Sequence, residues 1–315
     1  MEKMVDGLPS DMVKFSNYQI KNRSEGGWTM KRIVWCAAVM MLLVCIGAWA
    51  LAEEEVYSDG GYEYVLLEDG SAKITYYMGP EETYEVEIPR ELDGHTVTAM
   101  ASGCFGERWN LTSVTIPDCV TEIEGNPFYS CESLQTIEVS PNHPALALID
   151  GVLFDKTEKK LLCYPAGRED TSYEIPEGIV AIGWGAFSNC MRLEHVSIPE
   201  TVAAIGDYAF YACYSLRSAD VPDGVTAIGE GTFAYCKALE DVSLPDSVES
   251  IGQWAFDGCY SLTQIRLPDG VSEIGPWAFR EELVLTVGRD SYAMQYAEEN
   301  GFQYTYPDAN DWLYE

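Results

Sequence analysis

Three stretches decide how this chain reads: AIGWGAFSNCM at Ala181–Met191, AIGDYAFYACY at Ala204–Tyr214 and AIGEGTFAYCK at Ala227–Lys237. Ile-Gly, Phe and Cys stand at identical offsets in all three, 23 residues apart. The spacing extends outward. Phe187, Phe210, Phe233, Phe256 and Phe279 share it, as do Pro176, Pro199, Pro222, Pro245 and Pro268. With φ for an aliphatic residue, one unit is φ-P-x-x-V-x-x-I-G-x-x-A-F-x-x-C-x-x-L-x-x-V-x. Its leucine column is Leu193, Leu216, Leu239, Leu262 and Leu285. Upstream the columns return as Ile116, Val120, Ile123, Phe128, Cys131 and Leu134, and before those as Ile88, Met100, Phe105 and Leu111. Between Phe128 and Phe187 lies a different text, IDGVLFDKTEKKLLCYP, which predicts two short strands around a charged turn at Asp155–Lys160.

Five or six apolar positions per unit are too few to close a core alone. Stacked, they make one continuous interior, which is the logic of a repeat solenoid. Alternation in L-x-x-V-x-φ-P suits a short strand with one buried face. Proline then ends the strand by lacking an N–H, and glycine in Ile-Gly opens the next corner. Equivalent strands pair in parallel about 4.8 Å apart. Seven phenylalanines plus the elongated unit give about eight coils.

The unit resembles the BspA-like branch of the leucine-rich repeats, over about residues 61–305. The resemblance implies a leucine-rich-repeat-like right-handed coil with a parallel β-sheet on one face, capped at both ends. It divides the chain into a β cap at 53–86, repeats at 87–287 with an elongated unit at 139–173, and a cap and tail at 288–315. It also implies an exported, non-enzymatic protein that binds host or matrix ligands or other cell surfaces. The first repeat departs from the pattern, with Met100 for Ile and Cys104 one place before Phe105.

Residues 30–52 read as an address. Lys31-Arg32 precede an apolar stretch from Ile33 to Gly47, and Ala50-Leu51-Ala52 is an A-x-A cleavage signal. Cleavage would leave Glu53 first. An uncleaved signal anchor is the alternative, because Ile33–Ala52 is long enough to span a bilayer. Residues 1–29 are polar and patternless, as expected for a mis-assigned or disordered extension before a true start at Met30. Either way the body lies outside the cell, secreted or on its surface, and touches membrane only through an uncleaved anchor.

The chain carries 51 acids and 19 bases, a formal charge of −32. Beyond residue 52 the count is 47 acids against 13 bases. Such a body repels phosphate backbones and anionic lipid surfaces, so no nucleic-acid partner is expected; a solubilising surface on an exported protein is the plainer reading of the charge. Catalysis has little to stand on. His95, His143 and His195 lack a nucleophile or metal partner at recognisable spacing, and no phosphate loop, dinucleotide glycine motif or HExxH occurs. No cofactor and no metal site is expected.

Cys131, Cys190, Cys213, Cys236 and Cys259 occupy one column before the leucine strand. There cysteine reads as a small apolar filler with a weak S–H donor. Disulfides between neighbours in the column are the competing reading, set back by parallel side chains that suit the bridge torsion poorly.

Function is sought on a surface. Residues flanking the buried strand position face outward and vary from coil to coil: Ser113, Thr115, Thr136, Glu138, His195, Ser197, Ser218, Asp220, Asp241, Ser243, Gln264 and Arg266. They form a candidate face for an extracellular protein or glycan ligand, against the plainer reading of a solvated surface. A candidate aromatic patch comprises Trp184, Tyr208, Tyr214, Trp254, Tyr260 and Trp277. A passive structural or spacer role in the cell envelope is the alternative function.

Overall fold

The computed structural model describes residues 55–308, and the signal segment and residues 309–315 lie outside them. These residues form a β-solenoid in which each coil contributes to two parallel ladders. The outer ladder carries ten short strands in successive coils, paired within four short parallel sheets and interrupted at the elongated unit, beginning with Glu85–Glu87, Ser113–Ile116 and Thr136–Val139. It continues through Ser172–Glu174, His195–Ser197, Ser218–Asp220, Asp241–Ser243, Gln264–Arg266 and Val284–Thr286 to Tyr304–Thr305. Register follows the sequence columns, with Ser172 opposite His195 and Ser218 opposite Asp241. The second ladder runs along another face through two-residue strands such as Ala181–Ile182 and Ala204–Ile205, which pair Ile182 with Ile205. The expected sheet on one face is therefore accompanied by a second, because Val-x-x-Ile brings its own backbone into register.

Each element follows from its residues. In the outer strands the middle side chain (Tyr173, Ala219, Val242, Ile265) is buried and its neighbours point away. The proline carbonyl then accepts from the N–H three residues on, as Pro199 does from Val202 at 3.0 Å, which turns the chain. The Phe N–H donates to the next coil, Phe187 to Ala209 O at 2.7 Å and Phe210 to Thr232 O at 2.9 Å. Glycine of Ile-Gly has no positive φ. A Cβ on Gly206 would lie 2.7 Å from the Trp184 nitrogen and 2.8 Å from the Gly183 carbonyl carbon. Glycine is needed there for close approach of coils, a correction to the corner role expected from sequence.

Sequence alone undercounts the coils, eight against ten outer strands. Tyr164 is the ring of the elongated unit, 23 residues before Phe187 and stacked on it at 5.5 Å; Tyr77 adds a ninth ring against Phe105 at 4.9 Å, and the tenth outer strand is Tyr304–Thr305. Leu285 is also reassigned. It pairs with Ile265 in the outer ladder, while Leu283 takes the leucine place. Leu283 N–H donates to Arg280 O at 3.1 Å, as Leu262 does to Cys259 O at 3.2 Å. This coil is two residues shorter than its neighbours between Phe279 and Leu283.

The interior is two hydrophobic clusters rather than one. They meet at the elongated unit, a three-stranded segment of Leu146–Ile149, Val152–Asp155 and Lys160–Cys163. Leu153, Leu162 and Cys163 belong to the N-terminal cluster. Val152, Phe154, Leu161 and Tyr164 belong to the C-terminal one. The expected two strands around 155–160 are present, joined by a third, and they form a partition apolar on both sides. Corners meet past it: Asn126 Nδ2 donates to Gly185 O at 2.8 Å, and its Oδ1 accepts from Phe128 N–H at 2.9 Å. At the C-terminal end the helix α1 (Tyr292–Asn300) starts on a Ser291 cap and buries Ala293 and Ala297.

Candidate functional site

The outer ladder brings the twelve candidate face residues into two parallel rows. Thr136, Glu138, His195, Ser197, Asp220, Asp241, Ser243, Gln264 and Arg266 are exposed, while Ser113, Thr115 and Ser218 are half-buried. Backbone pairing fixes the rows: Ser113 lies opposite Thr136, and Thr115 opposite Glu138. In the later coils Asp220 lies opposite Ser243. Gln264 Nε2 donates to Thr286 Oγ1 at 2.6 Å, which fixes one amide on this face. The buried column beneath holds these side chains in register from coil to coil on either side of the elongated unit.

A charged row unnoticed in the sequence borders this face. Arg217 Nε reaches Glu194 at 2.9 Å in one neighbouring coil, and its Nη1 reaches Glu240 at 3.7 Å in the other. Its signal is positional, since all three stand one place before an outer strand. Arg266 adds an ion pair with Asp246 at 3.3 Å.

The aromatic patch is not one patch. Tyr208 is 9% exposed, with its hydroxyl bonded to Glu230, so it is no surface ring. Trp184 packs against Tyr129 at 5.1 Å and Tyr208 at 6.1 Å. Gly231 makes room for Tyr208, since a Cβ there would meet the ring at 2.5 Å. Trp254 and Trp277 form a separate stacked pair at 6.1 Å, Trp277 being 52% exposed. Tyr208, Trp254 and Trp277 all adopt φ near +55°, a conformation glycine occupies at Gly185 and Gly231 in the same column. Tyr214 and Tyr260 lie at a different corner, under Lys237 at 4.0 Å and Arg280 at 5.0 Å.

The cysteine column is buried and free of disulfides among the described residues. Cys131 Sγ donates to Phe105 O, Cys236 Sγ to Phe210 O and Cys259 Sγ to Phe233 O, each at 3.1 Å. Burial pushes the Cys131 and Cys259 thiols up to about 12, and Cys190 and Cys236 well up. These are structural thiols tying one coil to the next. His143 is structural too: buried, its Nδ1 accepts from Leu146 N–H at 2.9 Å, and its Nε2 faces Pro117 O at 3.3 Å. Among the described residues no group of three His, Cys, Asp or Glu side chains is placed to hold a metal. Nor is any helix among them long and apolar enough to cross a membrane.

Two stacked ladders with an aromatic, thiol and leucine interior define a leucine-rich-repeat solenoid. The BspA type leucine rich repeat region matches residues 85–161 and 163–286 in six copies, and the chain belongs to that family. The curated proteins contain no match. Among solved structures it is similar to a leucine rich cell surface protein of Faecalibacterium prausnitzii, at 32% identity and a TM-score of 0.42. That match covers 76% of this chain and 55% of the other, so the chain spans about half the length of that protein. It is also similar to a leucine-rich repeat protein of Bacteroides ovatus, at 21% identity over 79% of this chain and 67% of that one, with a TM-score of 0.44. The pneumococcal vaccine antigen PcpA matches at 18% identity over 75% of this chain and 82% of its own, with a TM-score of 0.41.

Proposed function

We propose that this protein is an exported recognition module that binds an extracellular protein or glycan through the outer ladder. The observation that carries the reading is the contrast within each coil. The buried strand position stays apolar while the two flanking rows change chemistry from Glu and Thr to His, Ser, Asp, Gln and Arg and remain largely exposed. The register comes from the stacked core, and the change of chemistry along the rows is what suits the face to an extended partner. Membership of a leucine-rich repeat family supports a binding role. Lys31-Arg32 followed by Ile33–Ala52 supports export.

The test is to present the full chain to panels of extracellular-matrix proteins and glycans, then repeat with Asp220→Ala, Asp241→Ala and Arg266→Ala combined. A ligand that loses at least about tenfold in affinity on the triple variant supports the assignment. A ligand bound equally by both proteins moves the site off this face.

A further inference from the structure

Three surface tyrosines lie under a base of the same chain. Arg108 covers Tyr76 at 5.6 Å, Lys237 covers Tyr214 at 4.0 Å and Arg280 covers Tyr260 at 5.0 Å. Trp277 differs. It is half exposed and stacks on Trp254 14° from parallel, and among the described residues no base lies over it. Both tryptophans hold a left-handed backbone, at φ 55° and 54°, where the same column has glycine at 185 and 231. That conformation costs an L side chain more than it costs glycine, and burial returns little of the cost at an exposed ring.

The surroundings are acidic. Trp254 and Trp277 stand in the part of each coil that runs from the strand-ending proline to the cysteine column. In five successive coils (175–190, 198–213, 221–236, 244–259 and 267–279) that part holds ten acids and no base. Among the described residues a base pairs with only one of the ten, Arg266 with Asp246 at 3.3 Å. Helix α1 packs beside Glu273–Ile274 and adds Glu298 and Glu299 but no base. Arg280, the base nearest in sequence, is held elsewhere, on Glu282 at 2.8 Å and the Tyr260 carbonyl at 3.1 Å. Asp257 N–H donates to Trp254 O at 3.1 Å. Tyr208 and Tyr211 hold the same two offsets two coils earlier and their rings meet at 5.9 Å, so the Asp257 carboxyl leaves its turn beside the Trp254 indole.

We infer that the Trp254–Trp277 pair seats a basic side chain of a partner protein, an arginine or lysine laid on the outer indole among these carboxylates. Indole is the ring that attracts a cation most strongly, and the charge around it selects a cation over an acidic or neutral group. Asp257 is half-buried, and burial raises its carboxyl above the usual range against smaller lowering effects of Gly258 N–H and Arg280, so a cation seated there offsets that cost. The site lies outside the outer ladder, and the inference stands or falls separately from recognition by that face.

The experiment is calorimetric titration of the full chain, at about 0.15 M salt, with tetra-arginine, tetra-lysine and maltotetraose. The two peptides are expected to bind and the neutral sugar to give no heat. Trp277→Ala leaves every charge in place, so long-range attraction is unchanged; it is expected to weaken both peptides at least about fivefold. Trp277→Phe restores a ring and is expected to recover part of that loss, which separates the ring from damage to the coil. Trp109, the other tryptophan exposed to this degree among the described residues, follows Arg108 directly, and Trp109→Ala is expected to bind as the wild type does. Peptides that fail to bind the wild type, or that bind Trp277→Ala equally well through charge alone, would overturn the inference. So would maltotetraose binding that Trp277→Ala abolishes, which would make the pair a sugar platform.

Discussion

Phe210 lies parallel to Phe233, their centroids 5.3 Å apart and their planes 6° from coplanar orientation. The same relationship joins Phe187 to Phe210 at 5.0 Å and Phe233 to Phe256 at 5.4 Å. Each ring is fully buried and touched on both faces by its counterparts. Removing one leaves a gap that two stiff coils close only in part. Phe210→Ala is expected to cost about 3–5 kcal/mol of stability, read from urea unfolding.

The Ile-Gly glycines make a sharper contrast. Gly206→Ala drives a methyl group into the Gly183–Trp184 backbone and is expected to cost about 1–3 kcal/mol. At Gly178, φ is +88° and no atom lies within 4 Å of the place a methyl group would take, so Gly178→Ala meets only backbone strain of about 1–2 kcal/mol. Urea unfolding of both variants checks the pair. A neutral Gly206→Ala would show that the coils approach less closely than described.

Thiol reactivity reports the column directly. Cys104, Cys131, Cys163, Cys190, Cys213, Cys236 and Cys259 are buried, and Cys119 alone of the eight is half-buried. A maleimide at neutral pH should modify Cys119 of this set within minutes and the rest only after unfolding, as peptide mapping would show. Rapid native labelling of Cys213 or Cys236 would place the column at the surface.

The partition predicts separable stability. Leu162 faces the N-terminal cluster and Phe154 the C-terminal one. Leu162→Ala, costing about 2–5 kcal/mol, should raise amide exchange more in residues 86–137 than in 187–285. Phe154→Ala should do the reverse. Equal effects of both variants on both halves would mean that the core is continuous after all.

Burial raises the Asp257 carboxyl above the usual aspartate range, against smaller lowering effects of the Gly258 N–H and Arg280. The folded protein therefore holds this proton more tightly than the unfolded chain, and the contribution of Asp257 to stability declines as pH rises from about 4 through the raised value. Asp257→Asn should raise neutral-pH stability by about 0.5 kcal/mol and flatten that limb of the pH profile.

Much of this architecture is legible in the repeat itself, because Phe, Cys, Leu and Ile each occupy one buried place per coil. Leu285 misleads because a two-residue deletion after Phe279 shifts the frame while leaving a leucine at the expected interval. Tyr164 escapes because a tyrosine stands in a phenylalanine column beside an unrelated hairpin text. Gly206 looks like a turn residue until the neighbouring backbone is in place. Tyr208 reads as a surface ring because spacing does not reveal that Gly231 in the next coil leaves room to bury it. The outward rows are legible because strand alternation leaves them nowhere else to point, whereas the Glu194–Arg217–Glu240 ladder depends on long side chains crossing between coils.

Recognition through the outer ladder can be tested by blocking it one position at a time. A single reactive thiol is placed at Ser197→Cys or Ser243→Cys on that face, and at Glu200→Cys on the turn, all in a Cys36→Ser, Cys45→Ser, Cys119→Ser background. Each is capped with a bulky maleimide and ligand affinity is measured on the full chain. Capping either face position should abolish binding while capping position 200 leaves it intact; undiminished binding after the face is capped would contradict recognition by this ladder.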